Sequence, residues 1–469
     1  METVLKDKKA KKELSSDLTS GALLPKIVSF TIPLMLTGLL QTLYNATDMI
    51  VVGYFSSSVA MGAVGACASL IGLIVNTFIG LSVGAAVCVA RDFGAKKYAE
   101  VEKVVGTSFV FSGICGIIIA VFGFIFAGFF LELMGTTPNL LKEAVPYMRA
   151  YFVGVPANVM YNYLASIVRS SGDTKRPLIF LAISGVVNVV LNFVMVFFFG
   201  LGAIGVGAAT AVAQYTALFL IVRHMTRLEN CCKLDLKNIK VDKTKLKTIV
   251  TIGLPAGIQG SLFALSNVLI QSTVNSFGDI TIQGNSASAN IESFIYIAMN
   301  ALHHTALTFV GQNIGAGKRE RILPIILYTT GIVTGVGIVL GLIAILAGEP
   351  LLSIYAHGDA KVVEAGVIRL SIIATTYFLC GIMDVGCGIS RGLGNSVLPM
   401  IISLVGSCAF RIFWVKVVCP VYPEDIFVLY VSYPISWVMT AAAHFISCFI
   451  TYKKNYSRRV PPPSTVSAS

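Results

Sequence analysis

Twelve long apolar stretches constrain this chain more than any other feature. They lie near residues 27–52, 59–89, 104–130, 144–168, 178–199, 203–224, 247–276, 285–312, 323–347, 365–389, 397–418 and 426–450. Each is long enough to cross a hydrocarbon core of about 30 Å as a helix. Lipid offers the backbone no hydrogen-bond partner, so a spanning segment must be a helix or part of a closed barrel. Barrel strands are short and alternate in polarity, and these runs do not. The expected fold is therefore an all-α polytopic membrane protein with twelve transmembrane helices. Composition agrees: 55% of residues are apolar and only 12% charged, and the mean hydropathy is +0.81.

The net charge of +12 does not mark a nucleic-acid partner, because the basic residues gather in short loops and the two tails. The N-terminal tail carries Lys6, Lys8, Lys9, Lys11, Lys12 and Lys26. Even-numbered loops carry the rest, among them Arg91, Lys96, Lys97, Lys103, Arg169, Lys318 and Arg391, and the C-terminal tail has Lys453, Lys454, Arg458 and Arg459. Odd-numbered loops carry almost none. Basic loops stay in the cytoplasm, so both termini are expected there. The first apolar run reaches spanning length without a small-residue cleavage site, unlike a secretory signal peptide. The organisation read from these marks is a basic tail (1–26), a first lobe (27–224), a basic linker (225–246), a second lobe (247–450) and a second tail (451–469).

The two halves repeat each other. Arg169, Gly172 and Pro177 reappear at the same spacing as Arg391, Gly394 and Pro399. Gly94, Ala95 and Lys97 reappear as Gly315, Ala316 and Lys318, and Pro33 and Asn45 answer to Pro255 and Asn267. Each half has an even number of spans, so the repeats are expected to be parallel, a common way to build a substrate path.

Ionisable groups inside spans are costly and therefore informative. Asp48 closes a polar stripe with Gln41 and Asn45 on one face of the first span. A carboxylate shielded from water can exchange protons or hold Na⁺; the competing role is a structural carboxylate held by hydrogen bonds. Asn188 and Asn192 lie one turn apart on the fifth span and could bind a cation or tie helices together. Glu292, His303 and Asp384 in the eighth and tenth spans, with Arg411 in the eleventh, are candidates for a substrate or ion cleft. For Asp384 a local ion pair competes with that role, and for His303 a structural hydrogen bond does. The shortage of other buried anions leads to the expectation that Arg411 pairs with Glu292 or Asp384. Arg149 and Arg369 are repeat-related and read as structural.

The ten cysteines show no metal spacing and read as free thiols. The glycine-rich run at 200–207 lacks a strand–helix setting and a phosphate-binding lysine. No ATPase motif is visible. The reading is therefore of a protein that is not an enzyme and has no cofactor, drawing on a coupling ion, H⁺ or Na⁺.

The motifs I-P-L-M-L-x-x-L-L-Q-T-L-Y-N-A-T-D at 32–48, F-G-A-K-K-Y at 93–98, R-S-S-G-D-T-K-R-P at 169–177, G-Q-N-I-G-A-G at 311–317 and S-R-G-L-G-N-S at 390–396 resemble the multidrug and toxic compound extrusion family. The resemblance is closer to its DinF-like branch than to its NorM-like one. It implies a V-shaped pair of six-helix lobes in a bacterial inner membrane, acting as a monomer among lipids. It also implies export of cationic or amphipathic organic compounds against inward H⁺ or Na⁺. Asp48 matches the family's first-helix aspartate and Asn188 its fifth-helix asparagine. Asn192 stands where DinF-like members often carry aspartate, which leaves Asp48 as the one carboxylate of that site. The seventh span lacks the acid of the NorM-like branch. The alternative implied by the same superfamily is a flippase for lipid-linked oligosaccharides, which would want a cleft rich in Arg and Lys; Arg411 and Lys416 are the only candidates.

Overall fold

The computed structural model describes residues 17–356, 359–423 and 425–454. Lys6, Lys8, Lys9, Lys11, Lys12, Arg458 and Arg459, on which part of the orientation argument rests, lie outside the described residues. The spanning elements are α1 (Leu23–Phe55), α2 (Ser58–Gly94), α3 (Tyr98–Leu133), α4 (Pro138–Ser170), α5 (Lys175–Phe198), α6 (Gly202–Thr226), α7 (Lys243–Val274), α8 (Asp279–Gly315), α9 (Ile322–Leu346), α10 (Ala360–Gly392), α11 (Val397–Val421) and α12 (Ile426–Tyr452). A short helix, Gly348–Tyr355, precedes α10. Among the described residues ten of the twelve are apolar enough to cross a membrane on composition alone. The other two, α4 and α8, are more polar because much of their surface is buried against neighbouring helices.

The chain divides into two compact units, meeting between Asn267 and Val268. In the first unit α4 is central and packs on α2, α3 and α6. In the second, α10 is central and packs on α8, α9 and α12. These partners correspond one to one across the sequence repeat, so the duplication holds at the level of packing. The compact division falls inside α7, later than the repeat boundary, because the early part of α7 lies directly on α2. A Cβ on Gly80 would stand 2.6 Å from Gly257, and Cβ atoms on Gly84 and Gly253 would press on the carbonyls of Ile249 and Leu81. Glycine is what allows backbones to approach this closely.

The start of α7 is also tied down by charge. Lys245 bonds Asp92 at 2.6 Å and Glu100 at 3.0 Å, and Lys103 bonds Glu100 at 2.7 Å. In the linker that leads into α7, Asp235 accepts from the side-chain amide of Asn238 and from the backbone N–H of Lys237, both at 3.0 Å. These bonds, the one from Asn238 foremost, hold its carboxyl below the usual carboxylate range. A lowered carboxyl value means the turn is supported above that range and loses support only as pH falls beneath it. The linker turn is therefore expected to keep its form at neutral pH.

The repeat is written in hydrogen bonds at two kinds of turn. Gly172 (φ +107°) and Gly394 (φ +89°) end α4 and α10 in the left-handed region. Gly172 donates to the Arg169 carbonyl at 2.9 Å and Gly394 to that of Arg391 at 2.8 Å; Asp173 and Asn395 reach back to Val168 and Ser390. This is a helix end that glycine accepts at no steric cost. The second kind closes α2 and α8. There Gly317 takes φ +72°, whereas its counterpart Lys96 takes φ +56°. A side chain in that region costs about 1–2 kcal/mol. We expect Lys96→Gly to raise thermal stability in detergent by ~1 kcal/mol; an unchanged or lowered midpoint would contradict this account of the turn.

Hydropathy and motif spacing give no sign of several of these features. The short helix before α10 is one. The π-helical turns Val194–Phe198 in α5 and Leu404–Ala409 in α11 are two more, since a π turn has no composition of its own. The glycine seam and the left-handed Lys96 complete the set.

Candidate functional site

Asp48 is buried near the C-terminal end of α1. Helical spacing puts Gln41, Asn45 and Asp48 on one face, and all three line a cavity of about 430 Å³ in the first unit. The carboxylate faces α5 and α6. Asn192 donates Nδ2 to Asp48 Oδ1 at 2.6 Å and to Asn188 Oδ1 at 3.0 Å. Thr210 donates its hydroxyl to Asp48 Oδ2 at 3.2 Å, and Asn188 donates to Thr210 at 3.2 Å. Four side chains from three helices thus close a ring on a single carboxylate. Asn192 Oδ1 is buried with no hydrogen-bond partner among the described residues.

The cavity wall is aromatic as well as polar. Tyr44, Tyr147, Tyr151 and Tyr161 line it with Asn158 and Gln214. Two of the tyrosines are pinned at their hydroxyls: Tyr44 donates to the Ser184 carbonyl at 2.8 Å, and Tyr161 to that of Pro177 at 2.7 Å. A carboxylate in a cavity of this size, with tyrosines in the same wall, can receive an inorganic cation or the charged end of an organic one. Thr210 and the tyrosines are site residues that sequence reasoning missed. The one available signal was Tyr147 and Tyr151, a turn apart in the same helix as Asn158.

The candidates in the second unit do not gather in this way. Glu292 is buried and held by Arg369, with Nε to Oε1 at 2.9 Å and Nη2 to Oε2 at 2.7 Å. Arg369 also donates to Asn285 at 2.7 Å and lies over Tyr430 and Tyr433 at 5.5 and 5.6 Å. A bidentate pair this enclosed is neutral as a whole and leaves Glu292 little freedom. Arg369 is thus the partner of Glu292, while its repeat mate Arg149 donates to the Phe124 carbonyl at 3.3 Å. His303 joins α8 to α10. Its Nδ1 donates to the Asp384 carbonyl at 2.8 Å, so its Nε2 accepts from Arg391 at 3.3 Å. Asp384 is half-buried, and among the described residues its carboxylate forms no ion pair.

The expected pairing of Arg411 is overturned. Among the described residues it forms an ion pair with neither Glu292 nor Asp384. Its Nε donates to Ser436 Oγ at 2.9 Å, and its guanidinium lies over Tyr433 at 4.1 Å and Trp437 at 5.6 Å. The expectation rested on counting buried charges; in the folded chain Arg369 takes Glu292, and aromatic rings take the place of an anion at Arg411.

Two like halves of six spanning helices, with polar side chains buried inside each, define a multi-pass membrane protein built by duplication. The MatE family matches residues 33–194 and again 255–415, one match for each repeat, and the chain belongs to that family. Among curated proteins it is 25% identical to the probable multidrug resistance protein YoeA of Bacillus subtilis, over 88% of this chain and 90% of that one. It is 23% identical to the probable multidrug resistance protein NorM of Thermotoga maritima, over 82% and 84%. Among solved structures it resembles an outward-facing multidrug resistance MATE family transporter of the MOP superfamily (TM-score 0.85, 20% identity, 94% and 98% covered). It also resembles a mutant form of the Vibrio cholerae MATE transporter VcmN (TM-score 0.86, 18% identity, 93% and 98% covered).

Proposed function

We propose that the protein is a secondary active antiporter that exports cationic or amphipathic organic compounds in exchange for H⁺ or Na⁺ by alternating access. The observation that carries this reading is the Asp48 carboxylate, buried at a cavity wall and bonded by neutral groups. A lone buried carboxylate is a charge awaiting a cation. Loading it weakens its hold on Asn192 and Thr210, which frees α1 to repack against α5 and α6. An organic cation in the tyrosine-lined cavity and the coupling ion then compete for conformations, and each favours the state that releases the other. The multidrug names of the relatives fit such a substrate range.

The two ions are separable in principle. A proton needs only one carboxylate oxygen. Na⁺ prefers several oxygen ligands, and Asn192 Oδ1, Asn188 Oδ1 and the Thr210 hydroxyl stand beside Asp48. The unmet Asn192 Oδ1 therefore favours Na⁺ of the two. The resemblance to the DinF-like branch bears on the same point, because an asparagine at 192 removes the second acid of a two-carboxylate proton site. The remaining parts of the reading are placement in the bacterial inner membrane with cytoplasmic termini, and two functional lobes spanning 27–224 and 247–450. Charge distribution and the repeat support both.

The test is reconstitution in liposomes with ΔpH and ΔpNa imposed independently, with ethidium as probe. Uptake into inverted vesicles should follow a Na⁺ gradient at zero ΔpH. Movement driven by ΔpH alone would turn the assignment to H⁺, and movement indifferent to both gradients would sink antiport.

A further inference from the structure

We propose that the second repeat recognises an oxyanion, a carboxylate or phosphate group on the transported molecule, through Arg411. The inference rests on the transporter reading above and extends its substrates to acids and zwitterions. Arg411 is 5% exposed. A guanidinium does not give up its proton in a protein, so its charge is permanent. Its one hydrogen bond among the described residues is the Nε bond to Ser436, and Tyr433 and Trp437 cover its faces. A second buried cation of this unit shows what one satisfied by a carboxylate looks like: Arg369 has Nε and Nη2 on Glu292. At Arg411 the Nε is taken by Ser436, and the edge formed by Nη1 and Nη2 has no carboxylate from the described residues. Planar paired N–H donors fit carboxylate and phosphate oxygens, and the flanking rings suit an amphipathic body behind such a head.

The position of Arg411 is as telling as its surroundings. The register set by Pro177 and Pro399 pairs Asn188 with Phe410. The π turn Leu404–Ala409 accommodates one residue more than an α turn, because its bonds run to the fifth residue rather than the fourth. That extra residue brings Arg411, not Phe410, onto the face where Asn188 sits in α5. Ser436, which receives the Arg411 bond, is the repeat mate of Gln214, a residue of the first unit's cavity wall. The place that supports a carboxylate in one repeat is thus held by a fixed cation in the other.

The chain carries two tryptophans, and both report on this site. Trp437 lies 5.6 Å from the guanidinium, and Trp414 packs on Phe410 at 5.6 Å. Tryptophan emission of the full chain in nanodiscs can therefore follow binding without any transport. Three probes with one tail separate the head groups: octanoate, octyl phosphate and octyltrimethylammonium. We expect saturable emission changes with the first two. Arg411→Gln should weaken them about ten- to a hundredfold while leaving the ammonium probe unaffected. Arg411→Lys keeps the charge and loses the fork, and should bind octanoate severalfold more weakly. Discs with and without phosphatidylglycerol distinguish the source of the anion: competition by that lipid assigns the site to a lipid headgroup, and indifference to it assigns the site to a soluble oxyanion. Octanoate and octyl phosphate binding equally well to wild type and Arg411→Gln, or giving no saturable response in wild type, would overturn the proposal. Oxyanion binding that persists in a protein whose transport ignores every ion gradient would instead sink antiport and leave the site standing.

Discussion

Asp48→Asn should abolish gradient-driven export, with a fall in rate of at least tenfold, equivalent to about 1.4 kcal/mol or more, and little change in stability. The reasoning is local. An asparagine at 48 keeps the shape of the side chain, and its carbonyl oxygen can still accept from Asn192 or Thr210, so the ring of α1, α5 and α6 contacts survives. What disappears is the negative charge. Without it the site holds one state at every ion concentration, and the gradient has nothing to act on. The measurement is ethidium efflux from cells and from liposomes, normalised to protein recovered in the membrane. A well-expressed Asp48→Asn protein that exports at the wild-type rate would show that the coupling charge lies elsewhere. Thermal unfolding of the same preparation separates loss of coupling from loss of fold.

The second large effect is on stability. Glu292→Gln should cost about 3–5 kcal/mol, because it strands the Arg369 charge in a buried setting. Arg369→Gln should cost about as much by stranding Glu292. The two changes together should cost much less than their sum, since neither leaves an isolated charge. Thermal unfolding of the three variants in detergent makes a complete double-mutant cycle. Additive losses would mean the pair contributes no coupling, and Glu292 would return as a candidate for substrate contact. Transport by the folded double variant at near wild-type rate would confirm that this pair serves the fold.

Much of the architecture was legible because lipid makes its demands locally. Run length, loop charge and paired turn motifs each sit in a short window, and the twelve helices follow them closely. The first-unit site was partly legible for the same reason: Asp48, Asn188 and Asn192 stand out against apolar neighbours. Thr210 did not, since a threonine in a span satisfies itself on its own helix and carries no mark of a distant partner. The Glu292–Arg369 pair shows where such reading fails. Its members lie on α8 and α10, and their meeting is decided by packing between whole helices. Arg411 was assigned a partner by elimination, which assumes that every buried cation finds an anion within the chain. The π turn that re-aims it has no sequence signature, so its register could be seen only in the folded backbone.

The glycine contact between α2 and α7 differs from an ordinary helix interface. Ordinary helix interfaces interlock through side chains, and parting them requires rotamers to change and cavities to open. Here backbone rests on backbone at Gly80, Gly84, Gly253 and Gly257, so few side chains interlock, and the polar ties across the contact are the Thr77–Ser261 hydroxyl bond at 2.7 Å and the ion pairs of Lys245. A single added methyl at Gly84 or Gly253 would press on backbone across the contact, so the seam is a point at which the packing of α7 on α2 can be altered without touching any residue of the Asp48 cavity wall.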